Sequence, residues 1–234
     1  MNKVLEDNLT VGEIVTNDFR TATIFKNAGI DFCCGGKQTL SEACSNKNID
    51  QQELEKELSG LTDHGFPSHN FKDWDPAFLS DYIVNTHHKF VMKHLPELLF
   101  YTDKIANVHG NNHSELVEVA KIFEEINKEL RQHLKNEEEV LFPAIKETMN
   151  QPSAKSKETI KSEIERMFGE HDFAGGAMEK INRLTGNYRI PEDACKTYEV
   201  TLKLLQQFED DLHVHVHLEN NILFPKALKL AQIN

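Results

Sequence analysis

His133-Leu134-Lys135-Asn136-Glu137-Glu138-Glu139-Val140-Leu141-Phe142-Pro143 and His215-Val216-His217-Leu218-Glu219-Asn220-Asn221-Ile222-Leu223-Phe224-Pro225 are two copies of one pattern, His-x-x-x-Glu-x-x-x-Leu-Phe-Pro, set 82 residues apart. A His and a Glu four apart share one helical face. Two such faces turned toward each other gather two imidazoles and two carboxylates in one small volume. That set suits a pair of metal ions, and core packing alone gives no reason to write it twice.

The helical neighbours of each histidine show which ones point inward. Ile126, Leu130, Glu137, Val140 and Leu141 surround His133, and Phe208, Leu212, Glu219, Ile222 and Leu223 surround His215. His171 has Met167, Phe168, Ala174, Gly175 and Met178 beside it, and the small residues leave room near the ring. Two adjacent histidines compete further upstream. His88 is flanked by Val84, Val91, Met92 and Leu95, and His87 by Ile83, Val84, Phe90 and Val91. The stripe of His88 runs on through Leu95, which favours it, with His87 as the alternative. His213 and His217 share a face with Glu209 and Asn220 and read as a solvated or outer pair. A lone His on an apolar face is ordinarily a core histidine bonded to a carbonyl. Four of them with two carboxylates on core faces point to a metal site, because a buried carboxylate without a partner is costly. A network of buried His–Glu pairs is the competing reading.

Composition narrows the class. The 234 residues suffice for one large or two unequal domains, and a net charge of -12 argues against nucleic acid and an anionic membrane surface. Met1 to Asp7 contain no apolar signal core, and no apolar run approaches the ~20 residues that span a bilayer. Four cysteines (Cys33, Cys34, Cys44, Cys195) make no disulfide framework. A cytoplasmic protein is expected. Histidine is unusually frequent: 12 in all.

The expected fold is all-α. Residues 1–62 read as a small domain of short helices, with capping boxes at Thr10-x-x-Glu13 and Thr39-x-x-Glu42, glycine breaks at Gly29 and Gly35-Gly36, and a last helix carrying Leu54, Leu58 and Leu61. Residues 63–74 read as a linker. Residues 75–234 read as four long helices, roughly 75–107, 113–149, 157–186 and 191–231, opened by Asp75-Pro76 and joined by short breaks. Short connections imply an up-down-up-down bundle. Leu-Phe-Pro should loosen the helix after each metal-facing turn. His88 precedes His133 by 45 residues and His171 precedes His215 by 44, so each half of the bundle is a hairpin supplying His, then His-x-x-x-Glu.

Four imidazoles and two carboxylates without a thiolate suit iron, with manganese and zinc as competitors. Two central carboxylates can bridge two ions, each ion holding two histidines and open positions. Two ferric ions, an oxo bridge and two glutamates leave a small positive charge that Glu138 or Glu170 can offset. The ferritin-like motif is Glu-x-x-His, so His-x-x-x-Glu argues for a different bundle family.

The C-terminal region resembles hemerythrin-like domains, and the whole chain resembles the RIC family of iron-sulfur cluster repair di-iron proteins. Asp31-Phe32-Cys33-Cys34-Gly35-Gly36-Lys37-Gln38-Thr39-Leu40 is similar to the double-cysteine motif of that family's first domain. Leu95-Pro96-Glu97-Leu98, Glu170-His171-Asp172 and Leu218-Glu219-Asn220-Asn221 are also similar to family stretches. The resemblance implies a hemerythrin-like four-helix bundle and an oxo- or hydroxo- and carboxylate-bridged pair of irons on His88, His133, Glu137, His171, His215 and Glu219, with Glu137 and Glu219 as bridges. It favours His88 over His87. It implies repair of iron-sulfur clusters damaged by oxidative or nitrosative stress through donation of iron, with damaged or apo iron-sulfur proteins as partners and the chain a monomer or homodimer. The alternatives are a carrier or sensor of dioxygen or nitric oxide, or an enzyme reducing nitric oxide or peroxide.

Cys33 and Cys34 precede the helix that begins near Thr39 and have Lys37 beside them, and a helix N-terminus with a cation lowers a thiol pKa. At least one is thus a candidate for redox exchange or iron hand-off, against a structural turn in which both only pack. Cys44 and Cys195 are expected in the core.

Overall fold

The computed structural model describes residues 9–61 and 70–232. Met1 to Asp7 and residues 63–69 of the expected linker lie outside the described residues.

The first domain is built from short, well-capped helices. α1 (Val11–Asn17) and α3 (Leu40–Lys47) begin at the two expected capping boxes: Thr10 and Thr39 accept from the backbones of Glu13 and Glu42, whose carboxylates take the cap N–H groups in return. α2 (Thr21–Asn27) ends at Gly29, where φ of 67° makes the left-handed turn that suits glycine. α4 (Gln51–Ser59) is capped by Asp50 and buries Leu54 and Leu58. The loop carrying Cys33 and Cys34 folds onto α1, where Val11 N–H donates to Gln38 O at 2.9 Å and Gly12 N–H to Gly36 O at 2.8 Å.

The remainder is four rods packed as a bundle. The first is α5 (Pro76–Ile83) running through a π turn (Val84–His88) into α6 (Lys89–His109). The second is α7 (Glu115–Asn136), a π turn (Glu137–Leu141) and α8 (Phe142–Asn150). The third is an unbroken α9 (Ala154–Leu184). The fourth is α10 (Lys196–Leu218), a π turn (Glu219–Leu223) and α11 (Phe224–Gln232). The loosening expected at Leu-Phe-Pro takes the form of these last two π turns: Phe142 N–H bonds Glu137 O and Phe224 N–H bonds Glu219 O, five residues back.

Several boundaries differ from expectation. The third rod starts at Ala154 because Ser153 caps it in a box with Ser156. The fourth starts only at Lys196, since residues 191–194 form a turn closed by Ala194 N–H to Pro191 O. Cys195 is the cap of α10 and is exposed, so it does not belong to the core, whereas Cys44 does. The end of the expected linker is packed: Phe71–Asp73 make a 3-10 turn with Phe71 buried against Trp74, ring centroids 4.8 Å apart. Among the described residues no strand forms beyond an isolated bridge between Thr10 and Thr39, and no helix is long and apolar enough to cross a membrane.

The apolar core falls into two clusters. One joins the first domain to the half of the bundle around Leu95, Leu130, Met178 and Leu205; the other fills the opposite half around Ile83, Leu141, Ile164 and Leu223. The polar residues singled out in the sequence lie between them.

Candidate metal centre

His88, His133, Glu137, His171, His215 and Glu219 are each at most 3% exposed. They form two groups whose potential ligand atoms all lie within 4.8 Å of one another: His88, Glu137, His215 and Glu219, and His133, Glu137, His171 and Glu219. Both carboxylates belong to both groups. Glu137 Oε2 lies 3.3 Å from His88 Nε2 and 3.3 Å from His133 Nε2. Glu219 reaches His171 Nε2 at 3.3 Å through Oε2 and His215 Nε2 at 3.1 Å through Oε1. His87 is also buried but joins neither group.

The donor atoms fit cations. Both Glu137 oxygens, Glu219 Oε2 and His88 Nε2 are buried without a hydrogen-bond partner among the described residues. Such atoms are costly to desolvate unless something positive meets them. His133 Nε2 and His171 Nε2 face each other at 3.2 Å. Their Nδ1 atoms are held by acceptors, Glu170 at 2.6 Å and Asn220 Oδ1 at 2.8 Å. In the neutral, metal-binding tautomer each Nδ1 carries the proton and each Nε2 presents its lone pair. Two ring nitrogens this close need a proton or a metal cation between them.

Three of the four imidazoles are oriented from behind in this way, for His88 Nδ1 donates to Glu138 Oε1 at 2.8 Å. Outer partners of this kind fix the tautomer and the ring plane of a ligating histidine. The Phe of each Leu-Phe-Pro adds a packing wall. Phe142 stacks on His88 at 5.7 Å and 21°, and Phe224 on His171 at 5.7 Å and 5°.

Electrostatics follow the same layout. Burial pulls the His88 and His171 imidazoles down, but the nearby Glu137 and Glu219 carboxylates outweigh it and leave both raised to about 9. Burial pushes the Glu219 carboxyl up, yet His215 and His171 hold it well below the carboxylate range. For Glu170 the hydrogen bond from His133 dominates and lowers it. With the Glu219 carboxylate held charged, the pocket attracts protons or metal cations, and each displaces the other.

The first domain closes over one side of this centre. Asn221 Nδ2 donates to Phe32 O at 3.3 Å and Cys33 O at 3.2 Å, and Cys34 Sγ reaches His171 O at 3.6 Å. The room expected beside His171 at Gly175 is taken by Cys34, whose Sγ would stand 3.3 Å from a Cβ there. Asp31, Cys33 and Cys34 make a third cluster of potential ligands, bordering a cleft of about 580 Å³ between the two domains. A second cleft, of about 350 Å³, reaches His133 past Gly169 and Glu170.

Four expectations are corrected. His217 is buried, with Nδ1 3.4 Å from Phe32 O, and Asn220 is buried too, because the first domain covers the face that looks solvated on a helical wheel; Glu209 is buried where Asn182 Nδ2 donates to it at 3.0 Å. His213 is intermediate in exposure and borders the interdomain cleft. Lys37 sits over the Phe168 ring at 4.5 Å. The Cys33 thiol is raised well above its ordinary value, by its hydrogen bond with Cys34, then burial, then the Asp31 charge. Val140 is 39% exposed and outside the stripe of His133, whereas Ile222 at the same place of the second π turn is buried. Sequence reading missed the roles of Asn220, Phe142 and Phe224; the position of each Phe in the doubled motif was the one signal that pointed to them.

Fold and site together define a helical cation-binding bundle of the hemerythrin type. The model of the hemerythrin HHE cation binding domain matches residues 80–227, and that of the ScdA_N domain of unknown function matches residues 7–62. The chain is 35% identical to the iron-sulfur cluster repair protein YtfE of Citrobacter koseri over 93% of its length and 96% of that protein. It is 33% identical to the iron-sulfur cluster repair protein ScdA of Staphylococcus epidermidis, with the same coverage of both chains. The YtfE protein of Escherichia coli is also 35% identical over 93% of this chain. The chain belongs to this family of two-domain hemerythrin HHE proteins.

Proposed function

We propose that this chain holds two iron ions and donates iron to damaged or apo iron-sulfur proteins. His88 and His215 serve one ion and His133 and His171 the other, with Glu137 and Glu219 bridging. The observation that carries the reading is the pair of four-residue groups sharing both carboxylates. Imidazole and carboxylate ligands hold iron less firmly than thiolates, which suits a protein whose cargo must leave. The names of the relatives, all repair proteins, support donation over carriage or reduction of a gas.

Cys33 and Cys34 are read as the hand-off residues. Cys34 touches the backbone of His171, and Asp31 Oδ1 stands 3.1 Å from Cys33 Sγ, so the cluster lies beside the centre and borders the cleft. The test is metal analysis joined to iron transfer into an apo iron-sulfur enzyme. Wild type should carry two irons and restore the acceptor, and Glu137→Leu/Glu219→Leu should do neither. Cys33→Ser/Cys34→Ser should keep its iron and transfer it poorly. Full iron in the double glutamate variant refutes the bridging assignment, and undiminished transfer by the cysteine variant refutes the hand-off.

A further inference from the structure

The two halves of the centre are built alike, and the likeness fails at one place. In the first hairpin His88 Nδ1 donates to the residue after Glu137, Glu138. In the second, His171 Nδ1 donates to the residue after Glu219, Asn220. His133 Nδ1 donates to the residue before His171, Glu170. By the same repeat, His215 should donate to the residue before His88. That residue is His87.

His87 does not take the proton of His215. Its ring runs parallel to the His215 ring, centroids 5.6 Å apart and planes within 8°, with no hydrogen bond between them, and its Nε2 is buried without a partner among the described residues. Its own Nδ1 donates to Asp211 Oδ1 at 2.9 Å. His215 Nδ1 is buried with no hydrogen-bond partner among the described residues, and so is Asp211 Oδ2, one turn earlier on the same helix. Thus the acceptor nearest in sequence is held by His87, and the fourth imidazole lacks what the other three have. Glu170 is in turn clamped by Arg166 Nη1 at 2.5 Å, which stiffens the opposite half further.

We propose that the two cation positions are unequal, that the one served by His88 and His215 releases its ion first, and that His87 is the positioning residue that makes it so. This rests on the two-iron reading above. Losing one outer hydrogen bond to a ligating histidine weakens a metal site by about 10- to 100-fold. A donor built this way parts with one ion readily and keeps the second, so each chain delivers iron singly and stays folded around the remainder.

The experiment is release of ferrous iron from the full-length, iron-loaded protein to excess bathophenanthroline disulfonate, followed by absorbance, with bound iron counted beforehand. Wild type should lose one iron per chain in a fast phase and one in a slow phase. His87→Glu supplies the missing acceptor and should slow the fast phase by about tenfold, leaving the slow phase in place. Glu170→His, the mirror exchange, should make the slow phase fast. Circular dichroism checks that each variant is folded, and either variant alone decides the matter. A single phase for both irons in wild type, or folded variants whose two rates match wild type, overturns the inference while the two-iron reading stands. A wild type that binds no iron overturns the reading itself.

Discussion

Phe142 and Phe224 hold the His88 and His171 rings from the side while Glu138 and Asn220 hold them from behind. A ring fixed on two sides keeps its lone pair aimed with little loss of freedom on binding. Both Phe residues are almost fully buried, so Phe142→Ala or Phe224→Ala should cost about 3–5 kcal/mol in chemical denaturation and reduce bound iron as well. A control such as Phe123→Ala, buried in the other cluster, should cost similar stability and keep its iron. The six polar residues were legible because ionisable groups spaced four apart on apolar stripes are costly to bury for packing alone. The outer partners were less so, since Asn220 and Glu170 are ordinary polar letters until another helix is placed beside them.

The thiols give a pH prediction. Cys33 titrates well above 9.0, the ordinary thiol value, so the folded protein keeps it neutral where the unfolded chain would ionise it. A group with a raised folded pKa contributes its stability below the unfolded value and loses it as pH rises. Alkylation by iodoacetamide at pH 7.5 should therefore spare Cys33 and label the exposed Cys195. Thermal stability should fall as pH climbs past 9. Rapid labelling of Cys33 at neutral pH, read by peptide mass spectrometry, would contradict this.

At the level of the helices, the π turns carry the design. Glu137 and Glu219 each open one, and His88 closes another. Each turn adds a residue and rotates the downstream helix by about 100° relative to a regular one. That rotation turns Leu141 and Phe142, and likewise Leu223 and Phe224, inward. Pro143 and Pro225, lacking an N–H, remove one regular bond just where the π bond forms. Deleting the exposed Glu139 should restore a regular helix, swing Phe142 off His88, and abolish iron binding while helical content by circular dichroism stays unchanged. The helices themselves were readable from periodicity and caps. The π turns were foreseen only as a loosening, because a 3.6-residue wheel contains no extra residue.

Across the whole molecule, the first domain docks through close contacts. A Cβ on Gly12 would stand 2.5 Å from Asn221 Oδ1 and 3.0 Å from Gly36 O. Gly12→Val should push the cysteine loop away, expose residues 30–38 to limited proteolysis, and leave bound iron largely in place. Protection equal to wild type would show that the joint tolerates the side chain. This interface hid from sequence reading for a physical reason: an amphipathic pattern shows that a face is polar, not whether another domain's carbonyls will satisfy it. His217, with Phe32 O before it, is the example.

Each group of four draws one imidazole from the hairpin of residues 76–150 and one from that of residues 154–232. An ion seated there is therefore also a rivet between two halves of the chain. If both ions left, the joint would lose both rivets, and amide exchange along the four-helix seam should quicken first.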